Sequence, residues 1–196
     1  MITIQFGRPL HSVFKVLFLG IIGFGLTCPG PVFADNNMAV NEYATATTAI
    51  TSAFPNYTHT ELRQLKINAS LRSKFENQLA SRWPVDSVQW HAIFQKKKWV
   101  GNAIVLDEIG KHKPITFCVI LTPDDEVKSV TVLTYREPVG SDIRKHRFMK
   151  QFANRRISDI PTIDDDIAPI TGATLSSWAA VTAVKKALIV SPLIHP

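Results

Sequence analysis

Ile115-Thr116-Phe117-Cys118-Val119-Ile120-Leu121, then Pro123-Asp124-Asp125, then Val127-Lys128-Ser129-Val130-Thr131-Val132-Leu133-Thr134-Tyr135 is the stretch that decides the fold. Two runs of β-branched and aromatic residues flank a turn-forming Pro-Asp-Asp, which is the pattern of a β-hairpin. Upstream, Val85 to Phe94 and Trp99 to Leu106 are similar runs, separated by Gln95 to Lys98, with Gly110 to Pro114 marking the next turn. Four short strands joined by short turns predict an antiparallel meander. Lys96-Lys97-Lys98 reads as a solvated hairpin turn or as a docking patch for an acidic partner or lipid headgroups.

The flanks change period. Asn41 to Phe54 has Ala46, Ala49, Ile50 and Ala53 spaced for a helix that Pro55 ends, and Tyr57 to Ile67 alternates weakly, as an edge strand does. Asn68 suits the N-cap of a second helix, Ala69 to Trp83, with Leu71, Phe75 and Leu79 on one face and Pro84 as a stop. Ser141 to Phe152 sets Ile143, Phe148, Met149 and Phe152 among Arg144, Lys145, His146, Arg147 and Lys150, predicting an amphipathic helix with a basic outer side. After a loop from Ile157 to Pro169, containing Asp164-Asp165-Asp166 as a solvated acidic turn or a metal-ligand run, the helical pattern returns from Leu175 to Val190. The expected fold is α+β: a single domain, an antiparallel β-sheet flanked by helices.

Composition bounds the partners. The chain has 196 residues, 22 Lys+Arg against 16 Asp+Glu, and 45% apolar residues, which is too apolar for disorder, and no repeat of solenoid period is present. Residues 1–34 read as a signal peptide: Arg8, His11 and Lys15 precede the apolar Val16 to Leu26, and Val32-Phe33-Ala34 is a small-x-small cleavage site. Residues 35–196 would then be the mature, extracytoplasmic or periplasmic domain; the alternative is an uncleaved N-terminal membrane anchor. Cleavage removes Cys28 and leaves Cys118 alone, a small buried hydrophobe in its apolar run. Export and a mild basic excess leave no case for a nucleic-acid partner. No Ser-His-Asp set, His/Cys metal spacing or phosphate loop supports a hydrolase.

Chemistry concentrates at Thr171-Gly172-Ala173-Thr174-Leu175-Ser176-Ser177. The first N–H groups of a helix have no partner inside it, Gly172 and Ala173 keep the surface low, and four hydroxyls stand close by, so a phosphate would fit. Equally, Thr171 or Thr174 could simply cap a helix that packs tightly on the sheet.

At these residues the sequence resembles the FMN-binding domain family, found in the covalent-flavin subunits of the sodium-pumping quinone reductase and the Rnf ion pump and in small exported flavoproteins. Its Ser/Thr-Gly-Ala-Thr signature is matched by Thr171 to Thr174. Trp99-Val100-Gly101-Asn102-Ala103, Gly110 to Thr116, Tyr135-Arg136-Glu137 and Phe148-Met149-Lys150-Gln151-Phe152 look like the small exported members in the same order, so the likeness covers most of Phe54 to Leu188. It implies FMN, carried through a phosphoester on Thr174 and attached by a separate flavin transferase, with Thr171, Gly172, Ala173, Leu175, Ser176 and Ser177 around it. Thr171 and Ser177 would bond the phosphate. His112 is the candidate for contact with flavin or phosphate, Arg136 for a phosphate and Tyr135 for a ring beside the flavin. Trp178, one turn after Thr174, either lies along the cofactor or belongs to the core.

The family usually places an Asp three residues before the motif, where this chain has Ala168. The resemblance implies an electron carrier, not a stand-alone enzyme, exchanging electrons with a membrane or periplasmic redox partner. The alternatives are FMN held without a covalent bond, and a cofactor-free module that docks a partner through its basic helix.

Overall fold

The structure, a computed structural model, describes residues 40–196. The signal-peptide reading therefore lies outside the described residues. Six strands form one antiparallel sheet in the order β1-β6-β5-β4-β3-β2. They are β1 (Asn41–Glu42), β2 (His59–Lys66), β3 (Ser87–Gln95), β4 (Lys98–Ile109), β5 (Pro114–Leu121) and β6 (Val127–Tyr135). The last four are the meander expected from the sequence, each within a few residues of its predicted bounds. β2 is the edge strand on one side, pairing Leu62 with His91 and Leu65 with Val88.

Four α-helices complete the α+β fold: α1 (Ala46–Ala53), α2 (Ala69–Leu79), α3 (His146–Met149) and α4 (Thr174–Val190). The helix expected from Asn41 starts later, because Asn41 and Glu42 pair with Tyr135 and Thr134 of β6. Thr45 then caps α1 in a reciprocal capping box with Thr48. Asn68 caps α2 as expected, its Oδ1 accepting from the Leu71 N–H at 2.9 Å. That helix stops at Leu79, not Trp83, because Ala80 adopts a left-handed conformation (φ 54°).

The single basic helix expected over Ser141–Phe152 is not formed. Lys145 is extended (ψ 134°), and the segment breaks into a 3-10 turn at Ser141–Arg144, the one-turn α3 and a second 3-10 turn at Lys150–Phe152. Ile143, Phe148, Met149 and Phe152 still point into the core and the basic residues point outward, so burial holds although the helix does not.

The sheet is covered on both faces. α4 lies across the centre of one face with α2 beside it, around Phe75, Trp83, Ile104, Ile115, Phe117, Val119 and Leu121. Ala179, Ala180, Ala183 and Ala187 let this helix approach the strands closely, and burial of its apolar residues holds its register. α1 covers the other face over Ile93, Ala103, Cys118, Ile120 and Leu133. Cys118 is fully buried there, as expected, and burial pushes its thiol up to about 12.

Candidate functional site

Residues 171–177 stand where the loop after Pro169 turns into α4. Thr174 is the first helical residue, Ala173 is the N-cap, and no side chain caps the helix. The reading in which Thr171 or Thr174 caps it is thus corrected: both are exposed, and neither hydroxyl has a hydrogen-bond partner among the described residues. Gly172 holds φ +79°, a conformation that favours glycine, and a Cβ there would meet nothing within 4 Å. The surface in front of the helix start is open.

Behind it the structure is closed. The Tyr135 hydroxyl donates to the Val139 carbonyl at 2.6 Å and lies 2.9 Å from Ser176 Oγ. Gly140 (φ +91°) passes so close that a Cβ would stand 2.7 Å from Tyr135 Oη and 3.2 Å from Ser176 Oγ. Ser177 Oγ donates to the Ala173 carbonyl at 3.0 Å and accepts from the Ile170 N–H at 3.2 Å, which ties the approach loop to the helix. Ser176 and Ser177 are buried, as is Ala173, and both hydroxyls are spent on the fold. Tyr135 is buried too, at 1% exposed, so its ring backs the helix start and offers no face outward. Burial raises its hydroxyl above the usual tyrosine range, with Ser176 pulling the other way.

The remaining sequence candidates lie elsewhere. Arg136 turns to β5, donating to the Pro114 carbonyl at 3.1 Å and to Thr116 Oγ1 at 2.9 Å. His112 is exposed in the β4–β5 turn, and its backbone N–H and that of Lys113 donate to Glu137 Oε1 at 2.5 and 2.8 Å. Burial works against the charge on Glu137, but these backbone donors outweigh it and hold the carboxyl below its ordinary range. Trp178 is 45% exposed, which removes it from the core.

A cleft of 520 Å³ opens beside Thr171, lined by Arg147, Phe148, Lys150, Gln151 and the loop from Ala168 to Thr171. Arg147 and Lys150 are exposed cations on its rim. Gln151 fixes the loop with both ends of its amide: Nε2 donates to the Ala168 carbonyl at 3.2 Å and Oε1 accepts from the Ala168 N–H at 2.9 Å. Gln151 and Gly140 have no role in the sequence reading, because a contact across 17 residues leaves no local signal. Asp164, Asp165 and Asp166 are exposed, and Asp166 pairs with Arg155. A second cleft, of 240 Å³, lies where the β3–β4 ladder stops at Trp90 and Ile104, and its lining includes the buried Lys186–Glu108 ion pair at 2.5 Å. The helix start therefore suits a phosphate by its unpartnered N–H groups, its open approach and its nearby cations.

Comparison with known proteins covers the segment that contains this helix start. The chain is 26% identical over 106 residues to a subunit of the proton-translocating ferredoxin:NAD(+) oxidoreductase complex of Clostridium ljungdahlii. The match covers 50% of this chain and 57% of that relative, so the chain spans little more than half the relative's length. Residues 110–189, from the β4–β5 turn to near the end of α4, match the model of the FMN-binding domain family. The cofactor that this similarity indicates is FMN.

Proposed function

We propose that the protein is an exported electron-transfer flavoprotein whose FMN is joined through a phosphoester to Thr174. The observation that carries this reading is the Thr174 hydroxyl, exposed and unpartnered at an uncapped helix N-terminus within the matched segment. In the joining step a separate flavin transferase presents the flavin phosphate. Thr174 Oγ1 attacks the flavin-bearing phosphorus of a flavin nucleotide diphosphate ester. The P–O bond of the pyrophosphate breaks, the nucleoside monophosphate leaves, and the hydroxyl proton passes to a base of the transferase. The resulting phosphodiester keeps one negative charge beside the first-turn N–H groups, and Arg147 and Lys150 rim the cleft that opens beside Thr171.

The chain's own residues hold and expose this position. Gly172 leaves room for the phosphate and for the transferase, while Tyr135, Ser176 and Ser177 fix the helix start from behind. Bound FMN supplies one- and two-electron transfer, and a covalent tether keeps a soluble cofactor from diffusing away outside the cytoplasm. The export signal read in residues 1–34 supports an extracytoplasmic location, and no helix among the described residues is long and apolar enough to cross a membrane. The relative's place in a proton-translocating redox complex supports a membrane redox partner as the electron donor or acceptor.

Ala168 favours a second reading in which FMN occupies the same helix start without a covalent bond, because the family acid that precedes the motif is missing there. Protein produced with a flavin transferase separates the two. Yellow colour that stays with the denatured polypeptide supports the phosphoester, and colour released on denaturation establishes non-covalent binding.

A further inference from the structure

We infer that the Trp178 indole, with Leu175 beside it, is the surface against which the isoalloxazine ring of the cofactor rests. The inference rests on the attachment to Thr174 proposed above and assigns the part of the cofactor that attachment leaves unplaced. Successive helical residues turn by about 100°, so Trp178 projects within roughly 40° of Thr174 and about 6 Å further along the axis. Leu175 flanks the same exposed side. Trp178 and Leu175 are 45% and 50% exposed. Large apolar groups left in water around one threonine cost free energy that a flat, largely apolar ring recovers by covering them.

The alternatives around Thr174 are poorer. The aromatic residues Tyr135, Phe148 and Phe152 of the same segment are buried. The 520 Å³ cleft beside Thr171 is rimmed by the cations Arg147 and Lys150, and Thr174 does not line it. Behind the helix, Ala173, Ser176 and Tyr135 close the route inward. A ring tethered at Thr174 therefore has the indole as its exposed aromatic neighbour, and offset stacking is the arrangement such faces prefer.

The test compares flavin fluorescence in the flavinylated wild type and in Trp178→Phe, each made with the flavin transferase and normalised to the FMN content found by intact mass. A stacked indole quenches flavin emission by donating an electron to the excited ring, whereas phenylalanine keeps a flat apolar face without that donor. The expected result is a wild-type yield well below that of free FMN and a rise of roughly threefold or more in Trp178→Phe. Leu175→Ala should give a smaller rise with the visible flavin bands displaced. An unchanged yield in Trp178→Phe at equal loading overturns the inference while leaving the attachment intact. Wild-type protein with no covalent flavin overturns the attachment itself, and this inference falls with it. Trp178 is half exposed, so its replacement leaves the core untouched. A role for the indole in partner docking alone would leave the fluorescence of the isolated protein unchanged.

Discussion

Tyr135 Oη and Ser176 Oγ lie 2.9 Å apart in a buried contact that joins the end of β6 to the first turn of α4. Because the same phenol also donates to the Val139 carbonyl, one side chain sets the height of the helix start and the course of the loop over it. Tyr135→Phe removes both hydrogen bonds and leaves the part-buried Val139 carbonyl and the buried Ser176 hydroxyl without that partner. The expected loss is about 1–3 kcal/mol in urea unfolding, together with lower flavin loading at Thr174. Loss of stability with unchanged loading would show that Tyr135 does not position the site.

Glu137 accepts backbone hydrogen bonds from His112 and Lys113 and so holds the β4–β5 turn against β6. Its carboxyl lies below its ordinary range in the folded protein. The unfolded chain therefore takes up the proton first as pH falls. The stabilising contribution is complete above the ordinary carboxylate pKa of about 4.3 and is lost as pH falls through the folded value. Glu137→Gln should destabilise the protein near neutral pH and flatten the acid limb of its stability profile. A parallel, unflattened limb in the variant would contradict this.

Lys186 and Glu108 form an ion pair of which only about a tenth of each side chain is exposed. Burial raises the Glu108 carboxyl, and the Lys186 contact partly opposes that rise. Removing one partner strands the other charge, so Glu108→Leu or Lys186→Met alone should cost about 3–5 kcal/mol. The double replacement Glu108→Leu/Lys186→Met should recover most of that loss. Additive losses in a double-mutant cycle would contradict the pairing.

Ala168 is exposed, and only its backbone is held, by Gln151. An aspartate side chain at this position would project from the loop without disturbing that clamp. Ala168→Asp is expected to raise the fraction of protein flavinylated at a fixed transferase concentration and to leave the thermal midpoint nearly unchanged. A loading fraction that does not rise would show that the carboxylate is not what limits modification.

The meander was legible because each strand carries its own β-branched run and each turn its own Gly, Pro, Asp or Lys, which are local signals. β1 was not, since two residues gain strand character only by pairing with Thr134 and Tyr135, far along the chain. The basic segment from Ser141 has a helical spacing of apolar residues, yet a broken chain buries Ile143, Phe148 and Phe152 equally well, so periodicity alone could not distinguish the two. At the site, the motif coincides with the start of α4, where Thr171, Gly172 and Thr174 are exposed. Which hydroxyls face inward depends on the sheet behind them, and that placed Ser176, Ser177 and Tyr135 in supporting roles. Arg136 likewise turned to Pro114 and Thr116, a tertiary choice that a strand-end Arg does not announce.

The central claim is the bond at Thr174, and the most direct measurement is the intact mass, under denaturing conditions, of wild type, Thr174→Ser and Thr174→Ala made with a flavin transferase. The account predicts that wild type carries one FMN less one water, that Thr174→Ser retains the increment because its hydroxyl is kept, and that Thr174→Ala has the unmodified mass. A full FMN increment on Thr174→Ala, or none on wild type, would contradict it.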